Sequence, residues 1–202
     1  MSTKPHHRWI QRIGMASAVV TLLGGCSVEP IQTPAFSSST TSTTPPPPPD
    51  KYSTSDWKSC SEVRQKLASD LPPPLPDDKQ EGPKWSMRIC PFRDDDSLVV
   101  FRIQYWDTTA DITGVHTGAE RAKKEFLDRG PARERDNSVN LGSDARWKRD
   151  DTNGCTLEIL DENAVISAGS SNRKTPTPGN NEQCRGLVRK LAKQFFAAVQ
   201  PQ

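Results

Sequence analysis

The five cysteines of this sequence have side chains with specific chemistry: Cys26 near the start, then Cys60, Cys90, Cys155 and Cys184. A thiol can accept a lipid as a thioether, bond to a second thiol or bind a metal ion. The four later cysteines are separated by 30, 65 and 29 residues, with no Cys-x-x-Cys pair, whereas Cys26 directly follows an apolar run. The first cysteine and the later four therefore predict different chemistry.

The residues before Cys26 are typical of an export signal. Residues 1–12 carry three basic side chains and no acidic one, and residues 13–23 form an uncharged, mostly apolar run of eleven residues. A run that spans a bilayer needs about 20 residues, so this one predicts a signal peptide over residues 1–25. Residues 23–25 (Leu-Gly-Gly) resemble the bacterial lipobox, whose leucine and small residues precede the cysteine that receives a diacylglyceryl group. We therefore expect Cys26 to carry a lipid after cleavage.

Lipidation at Cys26 would anchor the mature chain on the extracytoplasmic face of the cell membrane, since two or three acyl chains hold a protein firmly. The alternatives are an ordinary signal peptide with an incidental cysteine, or a short uncleaved anchor. Removal of residues 1–25 takes away three of 27 basic residues, leaving 24 against 25 acidic ones, so the net charge changes from +2 to −1. This balance argues against nucleic acid as a partner.

Residues 26–52 predict a disordered linker, and residues 53–202 predict one folded domain. A Ser/Thr tract at 37–44 and five prolines at 45–49 have no apolar surface to bury. The prolines favour polyproline II, a stiff spacer of roughly 15 Å. The following 150 residues hold four of the five tryptophans and four cysteines. That length is typical of a single domain.

Hydrophobic spacing divides this domain into helices and strands. Helices are predicted over residues 55–71, over 117–128 after a capping box of Thr117 and Glu120, and after an asparagine cap at 180 or 181. Strands are predicted over residues 85–92, 98–106, 139–147, 156–160 and 164–168, the first two and the last two forming hairpins. Helices that flank runs of strands indicate an α+β fold with an antiparallel sheet.

Two further segments have expected roles. Residues 71–84, rich in proline and acidic side chains, are predicted to be a loop. The last helix is predicted to bury an apolar stripe formed by Cys184, Leu187, Val188, Leu191, Phe195 and Ala198. Its basic side chains are predicted to form a solvated face: Arg185, Arg189, Lys190 and Lys193.

The four cysteines of the domain are expected to form two disulfides, because an exported chain meets an oxidising compartment. Four cysteines permit three pairings. We favour Cys60–Cys90 and Cys155–Cys184, since each joins a helix to a strand close to it in sequence. A zinc site is the rival interpretation. The four cysteines include no closely spaced pair of the kind that binds zinc, and His116 is the one histidine of the domain. We expect neither a metal nor a cofactor.

The sequence segments around these four cysteines resemble those of a known family. They are WKSCSEV, RICPF, GCTLEIL and EQCRGLVRKLAKQFF, which follow a lipobox and a Ser/Thr/Pro linker. This order is similar to that of the actinobacterial lipoproteins of domain-of-unknown-function family 3558, over most of residues 55–202. The resemblance implies an envelope lipoprotein of actinobacteria. No catalytic signature belongs to the family.

Other chemically capable residues have structural explanations. Asp94, Asp95 and Asp96 lack the glycine and distant glutamate of a calcium loop, so they predict a hairpin turn. His116 has no nucleophile in its vicinity along the chain and is expected at the surface. The tryptophans of the domain are candidates for a sugar-binding face, although some must fill the core: Trp57, Trp85, Trp106 and Trp147.

Two classes of function are compatible with these patterns. The first, which we favour, is an envelope lipoprotein with a binding, sensor or accessory domain and no catalysis. Its partner would be an envelope protein, lipid or glycan, in addition to the membrane at Cys26. The alternative is an enzyme that acts on cell-wall material through carboxylates.

Overall fold

The computed structural model describes residues 45–67, 70–129, 133–148, 153–175 and 178–201. Cys26, the predicted signal peptide and most of the predicted linker lie outside the described residues. The described helices are a short 3-10 helix at Thr54–Asp56, α1 (Cys60–Lys66), α2 (Gly118–Asp128) and α3 (Glu182–Val199). The described strands are β1 (Asp78–Gly82), β2 (Trp85–Arg93), β3 (Ser97–Trp106), β4 (Thr109–Asp111), β5 (Gly114–His116), β6 (Asp144–Trp147), β7 (Cys155–Asp161) and β8 (Ala164–Asn172).

Six of these strands form one antiparallel sheet, in the order β1-β2-β3-β8-β7-β6. At its centre β3 pairs with β8, which places Arg102 opposite Ser167 and Ile103 opposite Ile166. The short strands β4 and β5 form a separate hairpin. The antiparallel sheet and its helices confirm the predicted α+β fold, within a compact unit that begins at Pro45.

The two sides of the sheet carry different helices and form separate cores. Because successive strand residues point to opposite sides, Phe101 and Ile103 lie on one side and Arg102 and Gln104 on the other. Phe101 and Ile103 belong to the larger buried cluster, which includes side chains of α1 and α3. We call this side the disulfide face. The other side, which we call the arginine face, has a smaller buried cluster with α2: Trp106, Ala122, Phe126, Leu160 and Val165.

Both disulfides lie on the disulfide face and join a helix to the sheet. Cys60 of α1 is bonded to Cys90 of β2, and Cys155 of β7 is bonded to Cys184 of α3. These are the pairs that the sequence predicted. The bonded residues are 30 and 29 positions apart along the chain. Each helix of this face is therefore held covalently as well as by packing.

Side-chain caps begin the helices at the positions that local sequence predicts. The side chain of Thr117 accepts a hydrogen bond from Glu120 N–H, and the N–H of Thr117 donates in turn to Glu120 Oε2 at 3.1 Å. The side chain of Asn181 accepts from the N–H of Cys184 and caps α3. These bonds satisfy donors that have no partner inside the helix.

The first helix is shorter than the one predicted over residues 55–71. It starts after a capping box of Ser59 and Glu62 and ends at Lys66, and Leu67 is already extended. Leu71 precedes a proline run, and a residue before proline disfavours the helical conformation. Leu67 and Leu71 are nevertheless buried, at 7% exposure each. Their apolar side chains produced the helical pattern without lying in the helix.

Strand β1 lies within residues 71–84, so the prediction of a loop over this whole segment is wrong. The strand pairs with β2 at the edge of the sheet, and its side chains are almost all exposed. It therefore lacks the alternation of apolar and polar residues that identifies a strand. Charged edge strands are common because they resist pairing with other chains.

The last helix buries a narrower stripe than predicted. Leu187 is 47% exposed, whereas Val188, Leu191, Phe195 and Ala198 are buried. The buried residues recur at helical spacing and centre the stripe away from Leu187. The ring of Phe195 stacks on Phe101 of the sheet with centroids 4.6 Å apart.

Two arginines of the predicted solvated face instead fix α3 to the chain around β6. Arg185 makes two hydrogen bonds of 2.8 Å to Glu134, and Arg189 donates to Asp136 at 2.7 Å. Both guanidinium groups lie over the ring of Trp147, at 4.9 and 5.4 Å. The solvated basic face consists of exposed Lys190 and Lys193.

The residues before the predicted start of the domain are packed against it. Tyr52 is 2% exposed, its N–H donates to Asn163 Oδ1 at 2.9 Å, and its hydroxyl donates to Asp161. Burial and the bond to Asp161 raise the pKa of Tyr52. Asp50 accepts from the N–H and hydroxyl of Thr108 at 2.6 and 2.7 Å. We call residues 50–52 the strap.

Candidate tryptophan groove

An open groove beside α2 brings several polar and aromatic side chains together. It has a volume of about 480 Å³ and lies between the ends of β2 and β3, the β4–β5 hairpin and α2. Small-molecule sites commonly have volumes of about 300–1,000 Å³. We call it the tryptophan groove, and it is lined by Lys84, Trp85, Trp106, Asp111, His116, Arg121, Lys124 and Glu125.

The register of the sheet places the two tryptophans of the groove side by side. Trp85 begins β2 and lies directly opposite Trp106 at the end of β3. Trp106 is buried, whereas Trp85 is half-buried. Gly82 provides the space for the indole, since a Cβ there would come within 2.4 Å of Trp85 Nε1. The groove thus presents one accessible aromatic ring on a rigid strand.

The first turns of α2 form a wall of the groove. A Cβ on Gly118 would come within 2.1 Å of the carbonyl oxygen of Trp106, so glycine allows the helix to start against β3. Arg121 donates to the hydroxyl of Thr109 and connects α2 to β4. The wall is therefore fixed to two neighbouring elements.

The β4–β5 hairpin supplies a histidine and a carboxylate to the groove. His116 Nε2 lies 2.7 Å from Thr113 Oγ1 and 3.4 Å from Asp111 Oδ1. Asp111 Oδ1 also accepts from the hydroxyl and the N–H of Thr113, at 2.5 and 2.8 Å. These bonds, with His116 adjacent, lower the pKa of Asp111 to about 2. The three side chains together close the turn of the hairpin.

The carboxylates of the groove are engaged in local contacts. Thr113 Oγ1 lies 2.5 Å from Asp111 Oδ1 and 2.7 Å from His116 Nε2, and a carboxylate with a pKa near 2 accepts protons poorly at neutral pH. The other carboxylate of the groove, Glu125, pairs with Arg129 at 3.3 Å. Both carboxylates of the groove are therefore held by neighbouring groups of the chain.

Charges of both signs line the groove. Lys84 lies 3.9 Å from Asp111 across it, and Lys124 pairs with Asp128 at 2.8 Å. The tip of the hairpin exposes Ile112 completely. The lining thus offers a mixed polar rim around the ring of Trp85.

The structure separates the residues that the sequence marked as candidates. The four disulfide cysteines lie on the opposite side of the sheet from Trp85 and Trp106. Trp147 is 2% exposed in the core, and Trp57 packs edge-on against Tyr105. A face made of all four tryptophans does not form, and two of them meet in the groove.

The acidic run between β2 and β3 is a hairpin turn, as predicted. Asp94 Oδ1 accepts from the N–H groups of Asp96 and Ser97 at 2.8 and 2.6 Å. These bonds lower the pKa of Asp94. The carboxylate thus replaces a backbone partner within the turn.

The part of the chain that the structure describes shows no group of three or more His, Cys, Asp or Glu residues able to hold a metal ion. None of its helices has the length and apolar character required to cross a membrane. Comparison with known proteins finds no family model, no curated protein and no solved structure that matches the chain.

Proposed function

We propose that the chain is a cell-envelope lipoprotein whose domain binds a glycan in the tryptophan groove and catalyses no reaction. The lipobox-like residues before Cys26 support a lipid anchor on the extracytoplasmic face. The order of the four disulfide cysteines, similar to that of actinobacterial lipoproteins, supports the same location. The observation that carries the binding function is the half-buried ring of Trp85, seated on Gly82 and surrounded by polar side chains.

A sugar has the two kinds of surface that the groove can contact. One face of a sugar ring consists of C–H groups, which pack on an aromatic ring, and its rim carries hydroxyls. Aromatic side chains provide large apolar contact, and a few fixed polar groups set orientation. In the groove these are the indole of Trp85 and the charged groups of Lys84, Arg121 and Glu125.

Binding is tested with the full chain in a non-ionic detergent and soluble fragments of the cell-wall glycan, by isothermal titration calorimetry. We expect saturable binding that Trp85→Ala weakens at least tenfold, since about 1.4 kcal/mol corresponds to a factor of ten. Trp57→Phe is the matched control, because Trp57 is half-buried on the disulfide face. Equal affinities of wild type and Trp85→Ala would refute glycan binding in the groove.

The enzymatic alternative would use Asp111 and Glu125, the two carboxylates that line the groove. Incubation of the chain with wall polymer is expected to release no new reducing ends. Hydrolysis by the wild type that disappears in Asp111→Asn or Glu125→Gln would replace the binding proposal with a hydrolase.

The anchor is tested separately by feeding cells a labelled fatty acid. The wild type is expected to be labelled and Cys26→Ala to remain unlabelled, because the thiol is the acceptor. Equal labelling of both proteins would contradict lipidation at Cys26.

A further inference from the structure

A cluster of three buried or partly buried arginines lies on the arginine face around one carboxylate. Glu158 Oε1 is 3.1 Å from Arg129 Nη1 and 3.8 Å from Arg102 Nη2, and Glu158 Oε2 accepts from Arg133. The side chain of Glu158 is 8% exposed. Gln104 accepts from Arg129 at 2.8 Å. Three guanidinium groups thus share one buried carboxylate.

Arg102 is the member of the cluster whose charge is least compensated. Its nearest carboxylate among the described residues is Glu158, at 3.8 Å the most distant of the three guanidinium contacts, and its Nε, like that of Arg133, is buried without a hydrogen-bond partner. Burial and the neighbouring charge of Arg129 lower the pKa of Arg102. The side chain remains 28% exposed, so a ligand can reach it from solvent. A partly buried cation without an adequate partner is costly in the free protein.

An apolar strip adjoins Arg102 on the same side of the sheet. Ile89 is paired with Arg102 across β2 and β3, and the next pair on this side is Pro91 with Val100. All three apolar residues are half-buried. Among the described helices, α1 and α3 lie on the opposite face, and the buried cluster of α2 includes none of these residues.

We propose that this surface binds an anionic amphiphile, with its phosphate or carboxylate between Arg102 and Arg129 and its apolar chain along Ile89, Pro91 and Val100. The guanidinium group of Arg102 would form charge-assisted hydrogen bonds with the anion, which would supply a close partner for its positive charge. The chain would cover the strip that no described helix covers. This surface is distinct from the tryptophan groove, and the proposal holds whether or not the groove binds a glycan.

The probe is dihexanoyl phosphatidic acid, added to the full chain in a non-ionic detergent and followed by isothermal titration calorimetry and thermal unfolding. We expect saturable binding, a rise in melting temperature, and weaker binding at high salt. Uncharged dihexanoylglycerol and inorganic phosphate are expected to bind at least tenfold more weakly, because each supplies half of the contacts. Equally tight binding of inorganic phosphate would assign the site to a free anion and overturn the amphiphile.

The variant Arg102→Leu separates a binding role from a structural one. We expect binding to fall at least tenfold while the melting temperature of the ligand-free chain stays the same or rises, because an uncompensated charge is removed. A structural role predicts a lower melting temperature. Arg102→Lys, which keeps the charge without the guanidinium group, is expected to bind with intermediate affinity.

Arg173→Leu is the control, since Arg173 is exposed in the turn after β8. Arg173→Leu is expected to bind dihexanoyl phosphatidic acid with the affinity of the wild type. Unchanged binding in Arg102→Leu, or an equal loss in Arg173→Leu, would overturn the proposal.

Discussion

The disulfide face and the arginine face of one sheet are stabilised by different means. On the disulfide face two helices pack with apolar side chains, and each is bonded to a strand through cysteines. On the arginine face a single helix packs on a small cluster, next to Arg102, Arg129 and Arg133 around Glu158. No described cysteine joins α2 to the sheet.

This difference predicts that the stability of the two faces depends on charge to different extents. Apolar packing and disulfides stabilise a fold with little dependence on what surrounds it. Buried charges contribute little net stability, because removing them from water costs nearly as much as their pairing returns. On the disulfide face Arg88 is buried opposite Ile103, whereas on the arginine face three guanidinium groups surround one carboxylate, Glu158. The tryptophan groove borders the same side.

Removing the carboxylate of the arginine cluster is expected to give the largest effect. Glu158→Gln should lower the free energy of unfolding by about 3–5 kcal/mol, because it leaves three guanidinium groups without their shared partner. Urea unfolding at pH 7 measures this change. Glu81→Gln, on the exposed edge strand, is the control and should change stability by less than about 0.5 kcal/mol. Equal losses in the two variants would mean that the cluster does not depend on Glu158.

Opening a disulfide is expected to have the next largest effect. The double variant Cys155→Ala/Cys184→Ala should lose about 3–4 kcal/mol, the chain-entropy value for a loop of this length. Cys60→Ala/Cys90→Ala opens a loop of nearly the same length, so entropy alone predicts an equal loss. Guanidinium unfolding of both variants therefore compares the packing of α3 with that of α1. A loss below 1 kcal/mol in each would contradict covalent bracing of the disulfide face.

A pH-dependent effect is expected at the contact between α3 and β6. Burial would raise the pKa of Asp136, but hydrogen bonds from Ser138 and Arg189 lower it below its ordinary value. A carboxyl whose pKa is lowered by folding contributes stability above its unfolded pKa of about 3.9, and this contribution disappears as the pH falls through the folded value. Asp136→Asn should therefore cost about 2 kcal/mol at pH 7 and much less below pH 3.

Thermal unfolding of wild type and Asp136→Asn from pH 7 to pH 2 measures this difference. Asp128→Asn is the control, because Asp128 is exposed and pairs with Lys124 on the helix surface. A difference that stays constant across the range would show that Asp136 does not act through its charge.

The smallest effect is expected from the helix caps. Thr117→Ala on α2 and Asn181→Ala on α3 should each cost about 1 kcal/mol. Because α3 is also held by a disulfide, local opening should increase more in α2 than in α3. Amide hydrogen exchange in the first turns of α2 and α3 tests this. Equal increases in exchange rate would show that the disulfide does not restrain the start of α3.

The elements that were predicted correctly are determined by residues close together along the chain. The hairpin around Asp94 and the capping box at Thr117 are encoded within a few residues, so local patterns were sufficient. Strand β1 and the β4–β5 hairpin are short and exposed, so no alternation marked them. The length of α1 was overestimated because Leu67 and Leu71 are buried without being helical.

The candidate sites depend on register, which patterns along the chain indicate only indirectly. Trp85 and Trp106 are 21 positions apart and meet because β2 and β3 pair around their turn. Counting outward from the predicted turn at residues 93–97 pairs Trp85 with Tyr105, so the predicted hairpin missed the observed register by one residue. Arg102 and Glu158 lie on different strands separated by β8, and their burial depends on Arg129 and Arg133, which follow α2. No local pattern indicates that arrangement.

The strap determines where a mechanical load would enter the fold. A pull on the chain ahead of Asp50 reaches Thr108 through Asp50, and it reaches the turn between β7 and β8 through Tyr52 and Asn163. The force is thereby distributed over several bonds at the ends of β3, β7 and β8 before it acts on α1. Tension applied ahead of Asp50 would therefore act first on the ends of two central strands, β3 and β8, and would not peel the fold open from the first helix.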